Sequence, residues 1–385
     1  MLIPEIIDPG RIEARNRRRE RKLWNRPTLT PSLGCGTCPQ LGICGGLQTR
    51  LGLFDCMGHC CDKPAECSKV CRWKAQDFVQ RVREIGGFDL GTTPRAPLIA
   101  APGLPRVAPL IFHGQRRERL YTGPAVALSL QRLLHRATGE PKFGSESDLR
   151  AAFGLRPETK IVLTGTDQDP PLERWWAYGV ERRAAAIAAL KTLGVSLVTT
   201  PNYSLFVDTP RWDDLHSMKR IALVNAEFLA GGLASALHVN ARTDTDLDRW
   251  AAFVQPREEI NWIAYEFTTG SARAERQEVH ARWLARLANR TSRPLKLIVR
   301  GGIDILPILT DAYEAVTVIE TSAFMKAMKR QRAILSGNAG LAWESVPTEA
   351  GAPVDDIFEH NIRLTTEAIE LLSAPALLPT GAAAA

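Results

Sequence analysis

Strand-like and helix-like segments alternate along the chain from residue 107 onward, and this alternation limits the possible folds more than any other feature. Each strand-like run precedes a helical pattern, and the runs read APLIFHG, KIVLTGT, VSLVTT, SALHVNA, INWIAYEF, LKLIVRGG and VTVIET. GPAVALSLQRLLHRA, after the first run, predicts a helix, and PLIAA at residues 97–101 is a candidate for one further strand. Repeated strand–helix units predict a parallel sheet covered by helices, since parallel strands need a crossover connection.

Seven or eight such units within about 230 residues fit a (β/α)8 barrel, either complete or degenerate. A doubly wound open sheet is the alternative, but the even spacing and the lack of a G-x-G-x-x-G fingerprint after the first strand favour the barrel. Composition then predicts five segments. A basic arm at 1–34 is followed by a cysteine-rich metal-binding module at 35–85 and a Pro/Gly-rich linker or extended wrap at 86–106. The barrel follows at 107–345, and the last segment, 346–385, contains a helix at 358–372 and a disordered tail.

All eight cysteines of the 385-residue chain lie between residues 35 and 71. One dense island in an otherwise cysteine-free chain is typical of metal ligation, because soft thiolates must converge on one or two ions from short backbone segments. Eight ligands divide naturally into two sets of four. The predicted metal ligands are Cys35, Cys38, Cys44, Cys56, Cys60, Cys61, Cys67 and Cys71.

The irregular cysteine spacing favours one or two [4Fe–4S] clusters, with Zn2+ as the alternative. Paired zinc ribbons repeat a short-spaced cysteine pair, whereas this chain has a single Cys-x2-Cys; disulfide or redox-switch use is a third interpretation. Radical S-adenosylmethionine chemistry is disfavoured, because Lys63 and Lys74 stand where a third ligand would be needed. His59 lies inside the module and is either a substitute ligand or an ordinary solvent-facing histidine.

The N-terminus is charged rather than apolar. It has no apolar region after its charges, so it predicts no secretory signal, and no run approaches the ~18 apolar residues of a membrane span. We therefore expect a cytoplasmic protein without a membrane partner. Residues 11–26 contain eight Arg or Lys against two Glu, so most of the formal net charge of +7 lies in one arm suited to nucleic acid. Its basic residues include Arg15, Arg17, Arg18, Arg19, Arg21 and Lys22.

Polar residues lie at the carboxyl ends of the predicted strands, where parallel α/β folds build their sites. Strand alternation turns Leu237 and Val239 toward the helices and His238 toward the inner face. The same argument directs Glu266 and Arg300 inward. Glu266 is the predicted general base or nucleophile, His238 the proton-transfer group and Arg300 the anion clamp. The predicted catalytic set is Glu266, His238, Asn240, Arg300, Asn202 and Glu320.

Two further segments predict contacts with substrate. The Arg-Gly-Gly turn after a late strand stands where barrel enzymes commonly bind phosphate through backbone N–H groups, although a tight turn explains its glycines equally well. The loop at residues 200–211 is long enough to cover the mouth, and its aromatic residues can stack on a base or ring. The predicted substrate or phosphate contacts are Gly301, Gly302, Tyr203, Asp208 and Arg211.

Three resemblances bear on function. The series containing PNYSLFVDTPR, LHVNAR, YEFTTG and LIVRGG resembles an uncharacterised bacterial and phage family of barrel proteins. Cys35, Cys38 and Cys44 resemble the last three ligands of the [4Fe–4S] loop in the endonuclease III family, with Thr28 at the first ligand position. In architecture the chain is also similar to tRNA-guanine transglycosylases, which exchange a base through a carboxylate nucleophile; their single zinc site follows the later barrel strands, whereas these cysteines precede the barrel.

These features predict an iron–sulfur or zinc-containing barrel enzyme that acts on a nucleotide or nucleic acid, of transferase or lyase type, with carboxylate and histidine chemistry at the barrel mouth. One alternative is a nucleic-acid or partner-binding protein with a structural metal module and a non-catalytic barrel. Another is a small-molecule lyase or hydrolase that uses the barrel carboxylates.

Overall fold

A computed structural model of the chain describes residues 30–31, 48–49, 84–100, 102–205, 211–241, 244–268, 274–336 and 340–373. The predicted metal-binding cysteines, the basic residues of the arm and the alanine-rich tail lie outside these described residues.

The chain divides into two compact units. The first comprises Met1–Thr92, Ser204–Lys219 and Asn240–Arg249, and the second comprises Thr93–Tyr203, Arg220–Val239 and Trp250–Ala385. In the first unit, strand β1 (Thr30–Pro31) pairs antiparallel with β2 (Gln48–Thr49). In the same unit, Nε2 of His216 lies 2.6 Å from Oε1 of Glu84. The buried Lys219 donates from Nζ to the carbonyl of Asp89 at 2.6 Å and to the hydroxyl of Thr92 at 2.7 Å.

The second unit contains a sheet of eight parallel strands, which confirms the predicted barrel. Along the sheet the order is β3-β10-β9-β8-β7-β6-β5-β4, and the two end strands meet through a parallel bridge between Leu110 and Ala127, so that the sheet nearly closes. The strands are β3 (Val107–Pro109), β4 (Ala125–Ser129), β5 (Lys160–Thr164), β6 (Val195–Thr199), β7 (Ser235–His238), β8 (Trp262–Glu266), β9 (Lys296–Arg300) and β10 (Ala315–Glu320).

Helices follow most of the strands, as the alternating pattern predicts. In the first helix, Glu146–Phe153, local sequence determines where the helix begins and ends. The hydroxyl of Ser145 accepts from the N–H of Asp148 at its start, and Gly154 ends it with a left-handed φ of 58°. The helices of the described residues are α1 (Glu146–Phe153), α2 (Asp169–Ala177), α3 (Gly179–Thr192), α4 (Arg211–Ala230), α5 (Asp244–Val254), α6 (Ala274–Thr291), α7 (Leu306–Ala312), α8 (Ser322–Met328) and α9 (Asp355–Ser373).

The eighth barrel strand is not the predicted candidate at residues 97–101. Residues 97–100 form neither helix nor strand, and Ala125–Ser129, predicted as the start of a helix, is strand β4. All five of its residues are buried, so the run has no polar face from which a period of two or of 3.6 can be recognised. The predicted helix is reduced to one 3-10 turn at Leu130–Arg132.

The C-terminal helix α9 spans Asp355–Ser373, whereas the sequence predicted 358–372. Between α8 and α9 the chain also forms an antiparallel hairpin, β11 (Gln331–Ser336) and β12 (Gly340–Ser345), part of which the sequence had assigned to a helix. The buried Asn361 of α9 binds this hairpin: its Oδ1 accepts from the N–H of Ala333 at 2.7 Å and its Nδ2 donates to the carbonyl of Gln331 at 2.9 Å. Phe358 packs on Tyr121 of the loop between β3 and β4, which contains no helix of its own.

The barrel interior is filled mainly by small side chains around one tryptophan. Its buried cluster comprises Ala108, Leu110, Ala125, Ala127, Val162, Leu197, Ala234, Ala236, Trp262, Ala264, Ile298 and Ile319. Ile99 and Leu104 from the Pro/Gly-rich segment pack against this cluster, and the hydroxyl of Thr317 donates to the carbonyl of Pro105 at 2.8 Å. Residues 99, 104 and 105 of this segment therefore contact the barrel. In the described part of the chain, no helix has the length and apolar character needed to cross a membrane.

Candidate active site at the barrel mouth

Three of the predicted catalytic side chains lie at the carboxyl ends of neighbouring strands. Ala236, Ala264 and Ile298 belong to the interior cluster, so the residues two positions further along β7, β8 and β9 point to the same face of the sheet. Those residues are His238, Glu266 and Arg300. The structure thus brings them to one rim of the barrel, where β/α barrels carry their active sites.

Glu266 and Arg300 are register partners across β8 and β9. Oε2 of Glu266 lies 3.6 Å from Nε of Arg300, and the carboxylate is 1% exposed whereas the arginine side chain is 24% exposed. Oε1 accepts hydrogen bonds from the backbone N–H of Thr268 at 2.8 Å and from the Thr268 hydroxyl. The pair therefore combines a buried carboxyl with a guanidinium that remains partly accessible to an anion.

Burial raises the pKa of Glu266 above the ordinary glutamate value of 4.5. The positive charge of Arg300 lowers this pKa in opposition, as do hydrogen bonds from Thr268 and from the hydroxyl of Thr166, but burial is the largest effect. A general acid or base is most effective when its pKa lies near the working pH. Burial therefore shifts the pKa of Glu266 upward, toward neutral pH.

His238 is buried, and threonine hydroxyls hold it on two sides. Its backbone N–H donates to Oγ1 of Thr200 at 2.9 Å, and its Nε2 lies 3.5 Å from Oγ1 of Thr166. The catalytic set predicted from the sequence contains neither Thr166 nor Thr268. The signal for both was a threonine two residues beyond the end of a strand.

Gly165 sets the position of Thr166. Its N–H donates to Oγ1 of Thr199 at 2.9 Å, while the N–H of Thr166 donates to Oγ1 of Thr164 at 3.3 Å. A Cβ on Gly165 would lie 2.4 Å from the carbonyl oxygen of Thr199 and 2.6 Å from that of Thr200. The ends of β5 and β6 can approach this closely only if residue 165 has no side chain.

Gly165→Ala is expected to lower the free energy of unfolding by about 1–3 kcal/mol, because the clash involves backbone atoms that have little room to move. Urea denaturation followed by circular dichroism measures this change. Gly144→Ala is the matched control, since its Cβ would meet only Oδ2 of Asp148, at an ordinary 3.6 Å. Equal midpoints for the two variants would contradict the proposed close approach.

Glu320 is not brought into the ring at the mouth. Ile319 belongs to the interior cluster, so Glu320 faces the opposite side of β10. Its Oε1 accepts from the N–H of Ser322 at 2.6 Å and its Oε2 from the N–H of Ala323 at 2.8 Å, at the start of α8. The sequence placed Glu320 correctly at the end of a strand, but its carboxylate binds the first N–H groups of a helix.

Tyr203, predicted to stack on a substrate ring, is fully buried. Its ring packs against the guanidinium of Arg220, with the arginine carbon 4.0 Å from the ring centroid, and against Trp176 at 6.4 Å. Burial raises the pKa of its hydroxyl. The ring thus packs inside the protein instead of presenting a stacking surface.

The described residues cover only some of the other predicted polar contacts. Asn202 is half-buried, and its N–H lies 3.5 Å from the carbonyl of Gly165. Asn240 is also half-buried and belongs to the first unit. Asp208 lies outside the described residues. Arg211 begins α4, but its side chain is likewise outside the description.

Gly301 and Gly302 form a tight turn with φ angles of 76° and 70°. A Cβ on Gly301 would lie 2.6 Å from Cγ2 of Thr268, and one on Gly302 would lie 2.8 Å from Cγ of Phe267. Both glycines are thus explained by backbone conformation and packing. A 3-10 turn and the seven-residue α7 follow them. Phosphate binding at this turn stays a prediction.

The metal site predicted from the cysteines is outside the described residues. Within the described ranges, no group of three or more His, Cys, Asp or Glu side chains is arranged to hold a metal ion. Neither a scan against protein-family models nor a search of curated proteins finds a match to this chain. The barrel mouth is therefore the main basis for an argument about function.

Proposed function

We propose that this chain is an enzyme that carries out acid–base or carboxylate chemistry at the barrel mouth on a polar substrate with an anionic group. The observation that carries the proposal is the Glu266–Arg300 pair, in which a buried carboxyl of raised pKa lies beside a partly exposed guanidinium. Perturbed carboxyls in this environment are typical of catalytic groups. Arg300 supplies the charge that orients the anionic group, and Glu266 accepts or donates the proton.

The substrate class that we propose is a nucleotide or a nucleic acid. A guanidinium binds phosphate well through several N–H donors, and Arg300 is the charged group nearest to Glu266 among the described residues. The basic arm, with eight Arg or Lys against two Glu at residues 11–26, supports binding to a phosphate backbone. A single carboxyl that accepts and donates a proton is compatible with either a transferase or a lyase reaction.

The proposed cofactor is one or two [4Fe–4S] clusters, or alternatively Zn2+, held by the eight cysteines at residues 35–71. Support for this comes from the sequence: eight thiols in one short segment of a chain that has no other cysteine. Anaerobic purification with an absorption spectrum and metal analysis tests it. Absorbance near 400 nm with bound iron is expected, and a colourless protein with two zinc ions would exclude the cluster.

Anion binding at the mouth can be measured on the full-length protein with adenosine 5′-monophosphate and inorganic phosphate as probes. We expect Arg300→Gln to weaken binding of both by about 10-fold or more, as the loss of a charged hydrogen-bond partner predicts. Arg282→Gln, an exposed arginine on α6, is the matched control and should bind normally. Unchanged binding in Arg300→Gln would contradict the proposed role of this residue.

A nucleic-acid or partner-binding protein with a silent barrel is the second candidate, favoured by the concentration of charge in the arm. The full-length variant Arg17→Gln, Arg18→Gln, Arg19→Gln is expected to bind single-stranded oligonucleotides less tightly, with a weaker dependence on salt. Intact binding in this variant would contradict the arm's role. Turnover in a nucleotide panel that disappears in Glu266→Gln would favour the enzyme over the binding protein.

A further inference from the structure

The turn after strand β9 brings its backbone into close contact with the residues that follow β8. Gly301 and Gly302 both have left-handed φ angles, 76° and 70°. A Cβ on Gly301 would lie 2.6 Å from Cγ2 of Thr268 and 3.3 Å from its backbone nitrogen. The N–H of Phe267 donates to the carbonyl of Arg300 at 2.8 Å, which continues the pairing of the two strands up to this turn. Thr268 therefore lies directly against Gly301, at a distance that only glycine permits.

Thr268 places two hydrogen-bond donors on one oxygen of Glu266. Its backbone N–H, at 2.8 Å, and its hydroxyl both donate to Oε1. A carboxylate oxygen has two lone pairs, so these two bonds occupy Oε1. The other oxygen, Oε2, lies 3.6 Å from Nε of Arg300. A proton that binds this carboxyl is therefore directed to Oε2.

Glu320 provides a comparison within the same barrel, because it also stands two positions before a hydroxyl residue. Its Oε1 accepts from the N–H of Ser322 at 2.6 Å and from the Ser322 hydroxyl. Its Oε2, however, accepts from the N–H of Ala323 at 2.8 Å. Both oxygens of Glu320 thus bind the start of α8, whereas Oε2 of Glu266 faces a side-chain cation. The same local pattern therefore serves helix capping on β10 and a different purpose on β8.

We propose that Thr268, held in place by the side-chain-free Gly301, is a positioning residue that fixes Oε1 of Glu266 and assigns proton transfer to Oε2, the oxygen beside Arg300. The proposal rests on the acid–base role of Glu266 in the function proposed above and adds the choice of its reactive oxygen. In the transfer step Oε2 forms a bond to the substrate proton, and the electron pair of the broken bond stays on the substrate. The reverse step returns a proton from the same oxygen.

Loss of the Thr268 hydroxyl has a defined effect on Glu266. The hydrogen bonds from Thr268 lower the pKa of this carboxyl, against the larger effect of burial. On the described neighbouring strands, the titratable or charged side chains that point to this rim are His238 on β7 and Arg300 on β9, and both remain in the variants. We expect Thr268→Val to raise the proton affinity of Glu266 about 3- to 10-fold. Thr268→Ser keeps both donors and should leave it unchanged.

Substitutions at Gly301 test the same contact from the other side. Gly301→Ala should also raise the pKa of Glu266, because its Cβ displaces Thr268; adding Thr268→Ser removes Cγ2, the clashing atom, and should restore the wild-type pKa. Gly302→Ala is the matched control: its Cβ would meet Cγ of Phe267 at 2.8 Å, so Thr268→Ser should not correct its effects. Gly179→Ala measures backbone strain alone, since its φ is 75° and its Cβ would have no neighbour within 4 Å.

Carboxyl 13C NMR of the full-length protein with labelled glutamate measures these pKa values, and the signal absent from Glu266→Gln identifies the residue. An identical Glu266 pKa in Thr268→Val and the wild type would overturn the role of Thr268. A Gly301→Ala effect that Thr268→Ser does not correct would overturn the role of Gly301. If Gly301→Ala does not fold, recovery of folding in the double variant supports the contact, and a double variant that also fails to fold contradicts it.

Neutron diffraction from the deuterated protein, at a pH below the pKa of Glu266, shows which oxygen carries the deuteron. We expect Oε2, and a deuteron on Oε1 would overturn the assignment. Turnover in the nucleotide panel is a separate readout. In Thr268→Val the inflection in the pH profile of kcat/KM should move to higher pH together with the pKa of Glu266. If the pKa moves and the activity profile does not, the positioning role stands and the proposed function fails.

Discussion

Glu227→Met is expected to lower the free energy of unfolding by about 3–5 kcal/mol, because it leaves a buried arginine without its carboxylate. Arg183 is 2% exposed and donates from Nε and Nη2 to the two carboxylate oxygens of Glu227, each at 2.7 Å. It also lies over Trp176, with the guanidinium carbon 4.4 Å from the ring centroid. Arg183→Met should cost less, since the carboxylate left behind is 20% exposed and can be hydrated.

The matched control for this prediction is an exposed pair with the same separation. Arg282 and Glu278 on α6 are also 2.7 Å apart, but their side chains are 69% and 53% exposed. Glu278→Met should change stability by about 0.5 kcal/mol or less. Chemical denaturation of the three variants gives the comparison. Similar losses for Glu227→Met and Glu278→Met would show that burial does not determine the contribution of these pairs.

Glu266→Gln is expected to lower turnover about 100- to 10,000-fold while it stabilises the fold at neutral pH by about 0.5–2 kcal/mol. The stability gain follows from the raised pKa of Glu266. A carboxyl with a raised folded-state pKa adds stability below the ordinary pKa of 4.5, and this contribution is lost as pH rises through the folded-state value. Glutamine does not titrate, so the advantage of the variant should grow from pH 4 to pH 8. Thermal unfolding across that range measures it.

Glu320→Gln separates this effect from burial alone. Burial also raises the pKa of Glu320, against hydrogen bonds from Ser322 and Ala323. Its two oxygens, however, accept backbone N–H groups at the start of α8, and an amide NH2 cannot replace the second acceptor. We expect a loss of about 1 kcal/mol and unchanged turnover. If Glu320→Gln stabilised the protein as much as Glu266→Gln, the special environment of Glu266 would be in doubt.

Local patterns predicted much of the fold and part of the candidate site. Alternation with a period of two is a property of one strand, so the inward direction of His238, Glu266 and Arg300 follows from the residues beside them. The strand at Ala125–Ser129 was missed because a short run buried on both faces lacks such a pattern. The predicted inward direction of Glu320 was wrong. That direction depends on which alternate residues of its strand face the barrel interior and on where the strand ends.

By itself, the sequence determined that this is an α/β barrel with three chemically suited side chains at its strand ends, because the strand and helix periods and the interior direction of each residue are local properties. Only the tertiary structure decided that Oγ1 of Thr166 lies 3.5 Å from Nε2 of His238, that Arg300 is paired with Glu266, and that Tyr203 is buried beneath Arg220. The paired residues lie on different strands and loops: Tyr203 and Arg220 are 17 positions apart, Glu266 and Arg300 are 34 apart, and Thr166 and His238 are 72 apart. Their proximity depends on the closure of the sheet and on strand register, which no segment specifies alone.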